Sequence, residues 1–200
     1  MNFLAHLYLS GDDPDIRIGN FIADAVKGHD MDLFRDGIRR GIVIHRAIDT
    51  YTDAHPVFRE SSGRLHEKYH KYSGVIVDML YDHFLAVDWD KWHTTGLREF
   101  AASAYSLLLR NYTNLPSRTK RGMPFLVMMN WLVSYADLNA LGRFYSGMAR
   151  RTSFQSNMEH AVDDIRKDYD LYKQEFDLFF PEIISYISEE FQVVMSERRR

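Results

Sequence analysis

Apolar residues recur along this chain at spacings of three and four, the period of helices with one buried face. The pattern predicts a short apolar turn over residues 2–7. A helix over 14–27 is opened by Asp13-Pro14 and stopped by Gly28. Asp30 is a candidate cap for a run over 31–51, in which the spacing of Gly37 and Gly41 suits equally the close approach of another helix or a tolerant surface. Further helices are predicted over 57–69 and, behind a Ser73 cap, over 75–86. The stretch 88–93 reads as a connection. Helices over 97–111, 124–135 and 138–151 follow, with 114–122 a loop or short helix. A long run over 154–180 carries Ile165, Tyr169, Tyr172, Phe176 and Phe180 on one stripe, and Pro181 is expected to begin a final helix. No strand series, repeat or low-complexity segment interrupts this pattern. The expected class is all-α, with about eight to ten helices in a single domain over 1–195 and a frayed tail at 196–200.

The run over 75–86 is apolar nearly all round, and so is expected to be the most buried helix. It nevertheless contains Asp78, Asp82 and His83. Burying bare charge costs several kcal/mol, on the order of a full ion desolvation, so these groups need partners. Two other segments repeat their four-residue spacing. His45, Asp49 and Asp53 share one helix face, and so do Asn20 and Asp24. With His6 and Arg46 they make a constellation of imidazole, carboxylate and one guanidinium. Three helices presenting such groups inward suit a metal site. Oxygen and nitrogen ligands without sulfur favour manganese, magnesium, iron or zinc, and the weight of carboxylates favours the first two. Capping is sufficient to explain Asp30 in His29-Asp30. His55, His66, His70, His93 and His160 read as surface residues.

The 200 residues include no cysteine, which excludes disulfides, thiolate nucleophiles and Cys-ligated zinc and fits a cytoplasmic setting. No run is long enough to cross a membrane, and the N-terminus has no signal-peptide pattern. A net charge of −3 argues against nucleic acid as a partner; an acidic partner must meet a local basic patch. The candidates are Arg118, Lys120 and Arg121, then Arg150 and Arg151, and above all Arg35, Arg39 and Arg40, which share a helix with His45. No Gly-rich phosphate loop, G-x-S-x-G elbow or H-E-x-x-H motif is present.

Taken together, Asn2-Phe3-Leu4-Ala5-His6, Gly19-Asn20-Phe21-Ile22-Ala23-Asp24, His45-Arg46-Ala47-Ile48-Asp49 with Thr52-Asp53, and Asp78-Met79-Leu80-Tyr81-Asp82-His83-Phe84-Leu85 resemble the acyl carrier protein phosphodiesterases. The likeness continues through Trp131-Leu132-Val133-Ser134-Tyr135 and Gly147-Met148-Ala149-Arg150-Arg151. It implies an HD-like helical bundle without the strict His-Asp dipeptide, and a divalent ion, manganese foremost. The implied activity is hydrolytic removal of 4′-phosphopantetheine from holo acyl carrier protein. The implied metal ligands are Asp24, His45, Asp78 and Asp82, completed by His6 and His83; the expected catalytic residues are Asp24, His45, Arg46 and Asp49. Two other readings stay open on the residues themselves: an HD-like phosphohydrolase of a nucleotide or other small phosphoester, and a non-enzymatic helical binding module.

Overall fold

The computed structural model describes residues 1–195; the tail expected at 196–200 lies outside the described residues. Among those residues there is no strand, and twelve α-helices follow one another with short 3-10 turns between them. Their centre is α5 (Ser73–Val87), whose apolar run is buried from Ile76 to Ala86 apart from Asp78. Around it pack α1 (Phe3–Tyr8), α4 (Pro56–Tyr69), α10 (Leu138–Ala149) and α12 (Tyr169–Phe191). One core cluster runs from Met1 to Val193. The stripe expected on the last run is part of it: Ile165, Tyr172, Phe176 and Phe180 are buried, and Tyr169 is packed at its edge.

The helix opened by Asp13-Pro14 is α2 (Pro14–Ile22). The Asp13 carboxylate accepts from the amides of Asp15 (2.9 Å) and Ile16 (3.1 Å), satisfying two of the orphan donors of the first turn. This helix ends earlier than residue 27. It tightens into a 3-10 turn, Ala23–Ala25, and becomes extended at Val26. The next run also divides. A 3-10 segment, Gly28–Leu33, precedes α3 (Asp36–Ala54). Asp30 therefore caps nothing; its carboxylate lies 2.9 Å from exposed His29. Likewise Ser73 is the first residue of α5, and its N-cap, Tyr72, makes no side-chain capping bond.

The close approach suggested by glycine is real. α2 and α3 cross so tightly that a methyl group on Gly19 would strike the Ile38 carbonyl, and one on Gly41 the Ile16 carbonyl. Only residues without Cβ allow this crossing.

Three departures explain why there are more helices than expected. The stretch read as a connection contains the one-turn helix α6 (Trp89–Trp92), with both tryptophans buried. The long run divides at Asp168 into α11 (Ala161–Lys167) and α12. After α7 (Leu97–Arg110), the segment expected as one helix over 124–135 is α8 (Ser117–Met128) followed by α9 (Trp131–Ser134). Pro181 starts nothing: it lies inside α12, as Pro124 lies inside α8. An interior proline costs about 3 kcal/mol. In α12 the burial of Phe179, Phe180, Ile183, Ile184 and Ile187 on both sides of it outweighs that cost.

Two histidines expected at the surface are buried. His55 sits edge-on to Phe179 (4.9 Å between ring centroids) and lies 3.1 Å from the Glu182 carboxylate. His93 stacks on Trp89 at 5.2 Å. Each has one ring a helical turn behind it, Tyr51 or Trp89, and its remaining cover, Phe179 over His55 and Phe100 and Tyr8 over His93, comes from other elements. His66, His70 and His160 are exposed, as expected.

Candidate metal centre

Three elements bring polar groups to one point. α1 supplies His6, α2 with its 3-10 extension supplies Asn20 and Asp24, and α3 supplies His45 and Asp49. The His6 and His45 rings stack with centroids 4.1 Å apart. Between them and beneath lies the fully buried side chain of Asn20.

Asn20 fixes the chemistry of the pair. Its Nδ2 donates to the His6 carbonyl (3.0 Å) and to Ser10 Oγ (2.9 Å). The amide cannot be turned over without losing both bonds. Oδ1 must therefore face the imidazoles, which are 2.8 Å (His6 Nδ1) and 3.1 Å (His45 Nδ1) away. A carbonyl oxygen only accepts, so both rings carry their hydrogen on Nδ1. Both Nε2 atoms then point out of the far side of the stack.

There they meet Asp49. One carboxylate oxygen is 3.2 Å from His6 Nε2 and the other 3.1 Å from His45 Nε2. Asp24 reaches His45 Nε2 at 3.3 Å and is otherwise exposed. Neutral Nε2 atoms and a carboxylate are all acceptors, so the group requires a positive charge among them. Burial depresses His6 despite its bond to Asp49. Burial also lowers His45, but its bonds to Asp24 and Asp49 prevail and push it up to about 9. Burial raises Asp49, and its two histidine partners overturn that and hold it far below the usual carboxylate range. Asp24 is lowered chiefly by its bond to His45.

The ligating atoms of His6, His45 and Asp49 lie within 4.8 Å of one another, and the three can hold a metal ion. The donor set fits one: two imidazole nitrogens with tautomers already set for ligation, and one carboxylate.

The other residues expected in this group have different partners. Asp78 accepts from the Met1 ammonium at 2.6 Å. Asp82 accepts from the backbone amides of Asn2 (3.1 Å), Leu4 (2.7 Å) and Ala5 (3.3 Å), and so ties down the first turn of α1. Burial raises Asp82 to about 7 against the opposing pull of the ammonium and these amides. His83 Nδ1 donates to the Tyr135 carbonyl (2.7 Å), which leaves Nε2 to accept from Tyr169 Oη (2.8 Å). Burial lowers its pKa, so it is a neutral, satisfied histidine of the core. The single cluster expected of Asp24, His45, Asp78 and Asp82 is thus two groups. The partners that Asp78 and Asp82 need are chain-terminal and backbone groups, which no spacing pattern displays. Arg46 is exposed, and its guanidinium reaches toward the Val26 carbonyl at 3.5 Å. Asn20 stood in the polar constellation without a role; Ser10, which orients it, had no signal at all.

Basic residues sort in a similar way. Arg35, which precedes α3 as its N-cap instead of sharing the helix, is bonded to Asp15, Arg39 to Asp36 and Arg40 to the Phe191 carbonyl, so this basic run is committed within the molecule. Among the described residues no carboxylate pairs with exposed Arg118, Arg121, Arg150 or Arg151.

The protein is thus all-α, with two histidines and a carboxylate that can hold a metal ion between helices, organised by a buried amide. Sequence comparison then gives the lineage. Residues 1–183 match the family Acyl carrier protein phosphodiesterase, and the chain belongs to that family. It is 32% identical over 190 residues to the acyl carrier protein phosphodiesterase of Photorhabdus laumondii, covering 94% of each chain. It is 32% identical over 186 residues to that of Yersinia enterocolitica, covering 92% of this chain and 96% of the relative. With an Escherichia coli relative of the same name it shares 29% over 189 residues, 94% and 98% of the two chains. No solved structure matches. No helix among the described residues is long and apolar enough to cross a membrane.

Proposed function

We propose that this chain hydrolyses the phosphodiester joining 4′-phosphopantetheine to the carrier serine of holo acyl carrier protein, in the cytoplasm and with a divalent cation held by His6, His45 and Asp49. One observation carries the reading beyond family membership: Asn20 sets both imidazoles in the ligating tautomer around a shared carboxylate. Two imidazoles with a carboxylate suit Mn2+, Fe2+ or Zn2+ better than Mg2+, and Mn2+ is our choice. Such an ion supplies Lewis acidity toward a phosphoryl oxygen and lowers the pKa of water.

The protein's own groups do the rest. Asp24, ionised and open to solvent, accepts the proton of the attacking water. Arg46 offers its guanidinium to the charge that gathers on the phosphoryl oxygens. The serine oxygen leaves with the carrier and takes up a proton from solvent, giving apo carrier protein with its free serine hydroxyl and 4′-phosphopantetheine. Asp78 and Asp82 act at one remove, by anchoring the turn that carries His6. In this reading the bundle is an HD-like variant in which histidine and aspartate stand four apart on one helix. The carrier, a small acidic protein, docks against the uncommitted arginines of α8 and the end of α10, without nucleic acid or membrane. Mass spectrometry of holo carrier protein incubated with the enzyme and Mn2+ tests the reading: loss of the 4′-phosphopantetheine mass supports it, and an unchanged mass overturns it.

A further inference from the structure

Asp24 belongs to two places at once. It touches His45 in the polar group, and it also lines the end of a cleft of about 320 Å³ between the N-terminal helices and α8. That volume lies at the low end for small-molecule sites. Phe3 and Phe21, 5.3 Å apart, form one wall; Met123 and Leu126 of α8 form the other. Trp131 closes it, stacked at 4.1 Å on Phe144 and braced edge-on by Phe125. These aromatic contacts leave the cleft preformed. Arg118 and Arg151 stand at its margin with no carboxylate partner among the described residues.

We propose that this cleft receives the pantetheine arm of the substrate, an inference that rests on the function proposed above. With phosphorus beside Asp24, the substrate extends in two directions. One leads to a folded carrier protein, too bulky for such a cleft. The other leads to a narrow, uncharged chain of methylene, gem-dimethyl and amide groups. Aromatic and thioether walls suit its hydrocarbon parts, and the two guanidinium groups are donors for its amide carbonyls. The fit therefore concerns the arm, while the carrier remains outside.

Gly122 gives a clean test. It lines the cleft, and a Cβ built on it meets nothing within 4 Å. In Gly122→Trp the indole fills the cleft from a helix that tolerates the change, and Gly122→Leu is a smaller plug. Gly63, on the exposed side of α4 with equally open space, supplies Gly63→Trp as the control. Steady-state hydrolysis of holo carrier protein with Mn2+ is measured alongside inhibition by free 4′-phosphopantetheine and the melting temperature. We expect Gly122→Trp to raise KM at least tenfold and to lose product inhibition at an unchanged melting temperature. Gly122→Leu should give a smaller rise, and Gly63→Trp none. Wild-type KM and product inhibition in Gly122→Trp would overturn the assignment of the cleft. Wild-type protein that releases no 4′-phosphopantetheine at all would instead overturn the underlying function.

Discussion

His6 lies flat against His45, with ring centroids 4.1 Å apart and planes 21° from parallel. Two imidazolium ions do not stack at that distance without strong repulsion. The geometry thus admits one positive charge, shared against Asp49, or one cation bound by both rings. A proton and a metal ion compete for the same place.

That competition predicts a pH dependence. His45 is raised from 6.5 to about 9 when folded. A raised base contributes stability that is complete below the unfolded pKa and is lost as pH rises through the folded one. The melting temperature of chelator-treated protein should therefore fall between pH 6.5 and 9.5. Depressed Asp24 and Asp49 act oppositely: their contribution is present above the usual carboxylate range and is lost as pH falls through their lowered values. Saturating Mn2+ should flatten the alkaline slope. Thermal melts across pH, with and without the ion, check both effects.

Asn20→Ala removes the oxygen that holds both Nδ1 hydrogens and leaves the ligand atoms in place. Loss of an outer partner of this kind weakens metal affinity by about 10–100-fold. Titration calorimetry with Mn2+ should show it. Affinity equal to wild type would mean that the tautomers are set by something else.

Asp82→Ala should lose stability as well as activity. It strips three amide donors at the start of α1 of their acceptor, at a cost of about 1–3 kcal/mol for buried polar groups left unpaired. Activity falls because His6 rides on that turn. Met79→Ala, three residues away and also buried, should cost roughly 2–5 kcal/mol through lost packing alone and keep its Mn2+ affinity. Urea denaturation and metal titration separate the two.

Reversal of Arg121 and Arg150 to glutamate should raise KM for holo carrier protein and flatten its dependence on salt, since such contacts act over about 8–10 Å. Reversal of Arg39 and Arg40 should leave the salt dependence as it is, because those side chains are already bonded within the molecule. Salt titrations of kcat/KM decide which set meets the carrier.

The pairing of His45 with Asp49 was legible because both lie on one helix, where sequence spacing is spatial spacing. So was the demand of Asp78 and Asp82 for partners, since the run around them is apolar. The identity of those partners was not legible: an ammonium and three backbone amides leave no mark in a pattern of side chains. His55 and His93 were misread for a related reason. Each has a ring one turn back, Tyr51 or Trp89, but the rings that complete the burial, Phe179 for His55 and Phe100 and Tyr8 for His93, are brought by tertiary packing. The cleft was invisible because Phe3, Phe21, Met123 and Trp131 look like ordinary core positions until α8 is set opposite α1.

The crossing at Gly19 and Gly41 bears on how this site can age in evolution. Gly19 immediately precedes Asn20, and Gly41 comes one helical turn before His45. The gap between these two helices is thus gauged by main-chain atoms, which have no rotamers and which point mutation cannot resize, rather than by side chains that drift. Substitutions elsewhere in the core can loosen or repack the bundle without altering the reach from amide to imidazole. The chemistry is hung from a joint that has no slack.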